Sequence, residues 1–231
     1  MAKGMTRRMD VTVGRLRARL VGVAEAGAGL ALRARTFRGG ATDLDGHDRD
    51  AQHLLVEAGG ETCGYARIAL QRDGTAADGY AGGRYDLATF ARVFPRAVEV
   101  GRLCLAPEYD DPHVLRLMLA MMARLVNAER AQVLHGCASL SMVGCGPLAL
   151  ADRIAPEAWR PRPRAAETAP LAALSGPMPP LLRMWLALGA SVSDHAVLDR
   201  DLGTLHVHTA LPVAAIPRNR ARRLAGLLSA A

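Results

Sequence analysis

Three consecutive stretches decide the fold: AVEVGRLCLA (97–106), PHVLRLMLAMMARLVNA (112–128) and QVLHGCAS (132–139). The first and third are short and mostly apolar, which is typical of buried strands. The middle stretch carries apolar residues at helical spacing and begins with a proline, a residue favoured at the first helical position. A strand, a helix and a strand in this order predict a parallel pair of strands joined by a crossover helix.

The pattern on either side predicts further elements around this unit. Upstream we expect a strand over 16–20, a helix over 24–37, a hairpin through Gly59-Gly60 and a short helix after Asp86. Downstream we expect a helix over 181–188 and a closing hairpin over 191–212. The whole predicts one α/β domain over 1–231, with a Pro/Ala-rich irregular excursion at about 151–180 and a basic helix at about 217–228.

Composition restricts the class of protein and its location. Half of the 231 residues are hydrophobic and 22% are charged, as in ordinary globular proteins. The four cysteines form no C-x-x-C pair, and the N-terminus does not resemble a secretory signal, so we expect a reduced, cytoplasmic setting. No apolar stretch is long enough to cross a bilayer, and no glycine-rich nucleotide loop is present.

The net charge of +7 predicts affinity for polyanions such as an acidic protein, an anionic membrane surface or nucleic acid. Much of the charge lies at the two ends, including Arg7 and Arg8 at the start and Arg218 to Arg223 near the end. Solvated tails explain this distribution equally well.

Charged residues stand out in the predicted helix over 24–37 and in the loop that follows it. Arg33 and Phe37 are one helical turn apart and share a face, and Asp43, Asp45 and Asp48 follow in the next loop. Arg33 packing on its own helix and aspartates serving as turn residues are the simpler structural explanations. Both explanations remain open at this point.

A third charged pair, Glu99 and Arg102, interrupts the apolar strand 97–106. Burying both charges is costly unless they meet partners. Strand alternation places them on opposite faces unless a bulge intervenes, and Gly101 permits such a bulge. A structural ion pair and a functional site are equally compatible with the sequence.

In order along the chain, several motifs resemble those of the ornithine–acyl carrier protein N-acyltransferases, which are related to the acyl-homoserine-lactone synthases. The matching motifs cover roughly residues 30 to 215: LRARTFR (32–38), the acidic run 43–48 with HLLV (53–56), GYAR (64–67), EVGR (99–102), GCASL (136–140), PPLL (179–182), LGA (188–190) and LPV (211–213). This resemblance implies the GNAT-like fold, a mixed central sheet flanked by helices.

The resemblance also implies a reaction. An amide forms between the α-amine of ornithine and a 3-hydroxyacyl group carried as a thioester on acyl carrier protein, giving lyso-ornithine lipid. No cofactor beyond the pantetheine thioester and no metal are expected. Acyl carrier protein and ornithine are the expected partners, nucleic acid is not, and peripheral contact of the helix 181–188, with its Trp185, and of the basic C-terminal helix with an anionic membrane face is a further expectation.

For this reaction, the resemblance assigns roles to residues of these motifs. Glu99 is the expected general base, with Arg102 beside it in the motif. The backbone N–H groups near Leu103 and Cys104 are expected to polarise the thioester carbonyl. Six side chains are expected to hold the amino acid and to stabilise one another's charges: Arg33, Phe37, Asp45, Asp48, Arg67 and Arg102.

Departures from the family pattern leave rival functions open. The usual GNAT phosphate loop is replaced by PEYDDP (107–112), whose carboxylates repel a phosphate, so only the helix start at Pro112 remains as an anion site. His47 and His135 replace two expected aromatic residues. The rivals are an acyl-homoserine-lactone synthase, which uses S-adenosylmethionine, and a non-catalytic GNAT-like module that binds a carrier protein.

Overall fold

The computed structural model describes residues 9–109, 111–142, 150–174 and 176–226. Its strands are β1 (Met9–Val13), β2 (Leu16–Val21), β3 (Gln52–Ala58), β4 (Glu61–Arg72), β5 (Tyr85–Asp86), β6 (Arg96–Leu105), β7 (Val133–Ser141), β8 (Arg162–Pro163), β9 (Thr168–Pro170), β10 (Ser191–Val192), β11 (His195–Asp199) and β12 (Thr204–Pro212). Its α-helices are α1 (Gly27–Arg38), α2 (Ala88–Val93), α3 (Pro112–Glu129), α4 (Pro180–Leu188) and α5 (Arg218–Gly226).

These bounds confirm the predicted elements within a few residues, including the crossover helix α3 that begins at Pro112. Strand β1 was not predicted: its five residues alternate between apolar and polar side chains, but a segment this short gives a weak signal. The arginines Arg7 and Arg8, Cys145 and the end of the predicted C-terminal helix at 227–228 lie outside the described residues.

The described residues pack as two compact units. One is drawn from the ranges 9–69, 100–128 and 219–226, and the other from 70–99 and 129–218. Strands β4 and β6 each supply residues to both units. The prediction of a single domain over 1–231 therefore stays a prediction.

In the first unit the strand order is β1-β2-β3-β4-β6. The β3–β4 hairpin turns at Gly59 and Gly60, whose φ values of 59° and 90° suit a tight hairpin that glycine permits best. A Cβ on Gly64 of β4 would lie 3.0 Å from side-chain atoms of both Val114 and Met118, so this glycine lets α3 approach the sheet closely.

A small apolar core lies between α1 and the strands of the first unit. It includes Leu32, Leu55, Tyr65 and Cys104, all buried, with Phe37 packed against them. The same helix carries Arg33, whose side chain is fully buried. An arginine can be buried in this way only if its guanidinium meets acceptors, and the next section describes them.

In the second unit the strand order is β6-β7-β12-β11-β9. Strands β6 and β7 are parallel, as predicted, and their ladder comprises three pairs that end at Glu99 and His135. One core of this unit centres on Phe90 and Trp159 and a second on leucines of α4 and β7. The excursion at 151–180 contributes the short strands β8 and β9 and is not wholly irregular.

Helix α4 does not present its tryptophan to solvent. Trp185 is 5% exposed, and Leu182 and Leu186 are buried in the leucine core. The expectation that Trp185 contacts a membrane is therefore wrong, because the aromatic ring is already covered by protein. None of the helices in the described part of the chain combines the length and the hydropathy that a bilayer crossing requires.

Candidate active site

The first unit contains a group of four arginines and three aspartates, here called the Arg–Asp cluster: Arg33, Arg38, Asp43, Asp45, Asp48, Arg67 and Arg102. At its centre, Arg33 donates from Nε to Asp43 at 2.6 Å and from Nη1 to Asp48 at 2.5 Å, and its Nη2 donates to the backbone carbonyl of Asp43. These acceptors explain how the guanidinium of Arg33 is buried without an orphaned charge.

The carboxylate of Asp43 is bonded to three of the four arginines of the cluster. Besides the bond from Arg33, it accepts hydrogen bonds from Arg38 at 2.8 Å and from Arg102 at 2.7 Å. Burial alone raises its pKa, but the hydrogen bonds from the three arginines outweigh burial and lower the pKa of Asp43 to about 2. Asp43 is therefore ionised at neutral pH and serves as the anchor of the cluster.

Asp45 and Asp48, both predicted substrate-binding residues, differ in accessibility. Asp48 is buried and is held by Arg33, by Arg67 at 3.3 Å and by the backbone N–H of Asp45 at 2.8 Å. Asp45 accepts from Arg67 at 2.6 Å, and 28% of its side chain is exposed. Of these two carboxylates, Asp45 is the one that a solute in water can reach.

The cluster joins four cationic side chains to three anionic ones. Arg102 contributes a further contact, since its guanidinium carbon lies 5.7 Å from the centre of the Phe37 ring. The structure thus brings six predicted residues into one neighbourhood: Arg33, Phe37, Asp45, Asp48, Arg67 and Arg102.

The backbone irregularity expected in β6 falls one residue later than predicted. Arg102, and not Gly101, adopts the left-handed conformation, with φ of 53°. A non-glycine residue in this region is strained and persists only where other contacts hold it. The hydrogen bond from Arg102 to Asp43 and the contact with Phe37 supply such contacts.

The two residues that follow, Leu103 and Cys104, remain candidates only for their backbone N–H groups. Cys104 is 5% exposed, and burial raises the pKa of its thiol to about 11. The thiol is therefore protonated at neutral pH and is unsuited to act as a nucleophile. Leu103 is half-buried.

The second unit contains the predicted base. Glu99 is 4% exposed. Its Oε2 accepts a hydrogen bond from Nε2 of Gln71 at 2.6 Å, and its Oε1 accepts one from the backbone N–H of Ala81 at 2.7 Å. Both donors lie on segments that the sequence did not associate with Glu99. They fix the carboxylate in one orientation at the end of the parallel ladder.

Gly79 completes the surroundings of Glu99 within this unit. A Cβ at this position would lie 2.2 Å from Oε2 of Glu99 and 2.3 Å from Nε2 of Gln71. Real Cβ contacts are never this short, so the absence of a side chain at Gly79 gives the two polar groups their room. No sequence motif indicated this role, because Gly79 lies in a loop rich in glycine and alanine.

Gln71 links Glu99 to two buried histidines that the sequence did not associate with it. Nε2 of His135 lies 2.6 Å from Oε1 of Gln71, and Nδ1 of His135 lies 3.1 Å from Nε2 of His208. His135 is fully buried. Its distance from Gln71 and His208 in the sequence left no local motif from which the contact could be inferred.

Three comparisons with known proteins bear on this site. The model of an acetyltransferase (GNAT) domain matches residues 28–120, a range that contains Glu99 and the whole Arg–Asp cluster. The chain is 28% identical to the L-ornithine N(alpha)-acyltransferase of Agrobacterium fabrum, over 75% of this chain and 68% of that protein. It is also 28% identical to the protein of the same name in Brucella abortus, over 74% and 70%.

The architecture agrees with these sequence matches. The structure of FeeM, an N-acyl amino acid synthase from uncultured soil microbes, is similar with a TM-score of 0.56 and 13% identity, over 87% of this chain and 94% of that one. The chain is a GNAT-fold acyltransferase. The predicted fold class and the predicted enzyme class are both confirmed. Glu99, whose carboxylate is hydrogen-bonded to Gln71, lies within the residues that match the GNAT domain.

Proposed function

We propose that this acyltransferase transfers a 3-hydroxyacyl group from the thioester of acyl carrier protein to the α-amine of L-ornithine. The relatives that carry the name L-ornithine N(alpha)-acyltransferase support the acceptor. The observation that carries the proposal is the buried carboxylate of Glu99, held by Gln71 and Ala81. Acyl transfer to an amine requires such a base, because an ammonium group has no lone pair with which to attack.

Glu99 accepts one proton from the ammonium group of the acceptor, directly or through a water. The amine nitrogen then attacks the thioester carbonyl carbon. The nitrogen gives up a second proton as the new C–N bond forms and the C–S bond breaks, and the thiolate takes up one proton to leave as a thiol. A carboxylate that is oriented by two hydrogen bonds needs little rearrangement during the transfer, which is the usual advantage of a preorganised site.

The Arg–Asp cluster supplies charges that suit an amino acid with a cationic side chain. Guanidinium groups suit a carboxylate, and the partly exposed Asp45 is suited to an ammonium group. Asp48 has its acceptor atoms engaged by Arg33, Arg67 and the Asp45 N–H, so its role is to hold the cluster. Asp45 is therefore the residue that we assign to recognition of the second ammonium of ornithine.

The carrier-protein donor is supported by charge. Acyl carrier proteins are acidic, and a net charge of +7 on this chain favours their association.

The carboxylates at the start of α3 argue against a free phosphate there: Asp111 is already paired with Arg15 at 3.0 Å, and Glu108 lies 3.5 Å from Arg35. The basic helix α5 is the remaining candidate for contact with an anionic membrane.

A two-way substrate panel tests this proposal. Purified protein is incubated with a 3-hydroxyacyl group on acyl carrier protein or on coenzyme A, and with L-ornithine, L-lysine, glycine or S-adenosylmethionine. We expect N-acyl-ornithine by mass spectrometry, with the carrier-protein donor preferred. A lactone from S-adenosylmethionine identifies a lactone synthase instead. Folded protein that gives no amide with any amine overturns the proposal in favour of a binding module.

A further inference from the structure

The hydrogen bonds that extend from Glu99 run in one direction through three further side chains. A carboxylate has no hydrogen to donate, so the amide nitrogen of Gln71 must face Oε2 of Glu99. The amide oxygen of Gln71 then faces Nε2 of His135, which must carry a hydrogen. This leaves Nδ1 of His135 as an acceptor, and Nε2 of His208 donates to it.

We infer that Gln71, His135 and His208 are positioning residues, which hold Glu99 as an oriented carboxylate through a directed chain of hydrogen bonds. This inference rests on the proposed role of Glu99 as the base. Each donor in the chain points towards Glu99, so each bond polarises the next and strengthens the final one to the carboxylate. We call this set, Glu99-Gln71-His135-His208, the directed chain.

The burial of the two histidines keeps both of their rings neutral, as the directed chain requires. Both imidazoles are fully buried, and burial lowers the pKa of His208 to about 3 and holds the pKa of His135 well below its usual range. Both rings are therefore neutral at physiological pH. A neutral ring has one donor and one acceptor nitrogen, which is the pattern that the chain needs.

Packing fixes the two rings in place. The ring of Phe90 lies 4.9 Å from that of His135 and 5.3 Å from that of His208, measured between centroids. The ring of Tyr85 lies 5.7 Å from that of His208. Since the imidazoles pack against these aromatic rings, their nitrogens have little freedom to turn away from Gln71 and from each other.

A core network without any role in catalysis is the alternative explanation. It predicts lower stability on substitution of His135 but no change in kcat, whereas the titration of Glu99 reports whether the hydrogen bond from Gln71 is present. Within its unit, Glu99 faces groups that include the Gln71 amide, the Ala81 N–H and the backbone of Gly79, and the titratable His135 and His208 lie behind Gln71. The kinetics of the His135 variants therefore separate the two explanations.

The first test uses variants of Gln71. Gln71→Leu removes the donor to Oε2, and Gln71→Glu keeps the shape but introduces a second carboxyl group. In protein labelled with ¹³C-glutamate, the Glu99 signal is assigned by its loss in Glu99→Gln and is followed by NMR from pH 3 to pH 9. We expect its midpoint to rise by about one pH unit in Gln71→Leu and by more in Gln71→Glu.

The second test asks whether His135 acts through Gln71. His135→Phe keeps a ring in the core but removes the donor to Oε1 of Gln71, whereas His135→Gln offers an amide N–H in its place. We expect His135→Phe to lower kcat by about 10-fold with little change in the KM for the acceptor, and His135→Gln to restore most of it. His195→Gln is the matched control, because this histidine of β11 is 42% exposed and lies beside Asp194.

The outcomes separate this inference from the proposed function. An unchanged Glu99 midpoint in both Gln71 variants overturns the directed chain, whatever the substrate is, and Gln71→Glu serves if the leucine variant fails to fold. If the midpoints shift as expected but no amine is acylated, the directed chain is supported and the proposed function is wrong. If Glu99→Gln abolishes acylation while His135→Phe and His135→Gln have the same kcat, Glu99 is supported as the base and the contribution of His135 is excluded.

Discussion

Oε2 of Glu99 accepts a hydrogen bond from Nε2 of Gln71 at 2.6 Å, and a methyl group on Gly79 would collide with both atoms. The catalytic proposal depends on this relationship, because it helps to orient the carboxylate. An amide, a backbone N–H and the absence of a side chain at Gly79 thus contribute to the geometry of the proposed base.

We predict that Gly79→Ala lowers kcat by about 10-fold or more while the fold is retained. The added Cβ displaces the Glu99 carboxylate and the Gln71 amide, and a displacement of about 1 Å at a catalytic group is costly. Steady-state kinetics with circular dichroism as a folding check measure this effect. Gly83→Ala is the matched control, because a Cβ at Gly83 meets nothing within 4 Å, and equal activities of the two variants would contradict the prediction.

Removing the central arginine of the Arg–Asp cluster should cost about 3–5 kcal/mol of unfolding free energy. Arg33→Met leaves Asp43 and Asp48 buried with one cationic partner fewer each, and both carboxylates are at most 3% exposed. Urea unfolding monitored by tryptophan fluorescence measures the loss. Arg17→Ala removes an exposed pair with Asp10 and should cost far less. A similar cost for both variants would be inconsistent with the cluster being a buried network.

Stability should fall as the pH is lowered, in two overlapping windows. The pKa of His208 is lowered to about 3 in the folded protein, so the unfolded chain takes up the proton first, and stability is lost from about pH 6.5 downwards. The pKa of Asp43 is lowered to about 2, so its contribution is present above about pH 4 and is lost as the pH falls towards 2. Each group contributes a slope of about 1.4 kcal/mol per pH unit.

His208→Leu should lower the slope in the upper window by about 1.4 kcal/mol per pH unit, because one titrating imidazole is gone while that of His135 remains. The unfolding free energies of this variant and of the wild type are measured by urea titration at pH values from 4 to 7. The window assignment fails if the two proteins show the same dependence on pH.

Asp45→Asn should raise the KM for ornithine and leave kcat within about 3-fold. Asp45 is the accessible carboxylate of the cluster, so its loss weakens binding of a cationic acceptor before it affects the chemical step. Glycine, if it is acylated at all, lacks the second ammonium group and should show no such increase. Equal changes in KM for both acceptors would remove Asp45 from recognition of the side chain.

The order of the elements and the set of important charged residues could be predicted from the sequence, but the contact partners of each residue could not. Hydrophobic periodicity and Pro112 were sufficient for α3 and its parallel strands, because those signals are local. The motif spacing placed Arg33 and Asp48 among the important residues, yet only the fold brings the arginine onto Asp43 and Asp48 together.

The parts that could not be predicted depend on contacts between residues distant in the chain. Gln71, His135 and His208 are separated by 64 and 73 residues, so no local pattern links them. The left-handed backbone fell on Arg102 instead of Gly101, because tertiary contacts to Asp43 and Phe37 outweigh the local preference of glycine for that conformation.

The most direct test of the central claim is the rate of amide formation in Glu99→Gln. Single-turnover reactions of 3-hydroxyacyl carrier protein with L-ornithine are compared for the wild type, Glu99→Gln and the exposed control Glu157→Gln. We predict a loss of about 100-fold or more in Glu99→Gln, with thermal stability close to that of the wild type, and no loss in Glu157→Gln. A Glu99→Gln rate within a few-fold of the wild-type rate would contradict the assignment of Glu99 as the base.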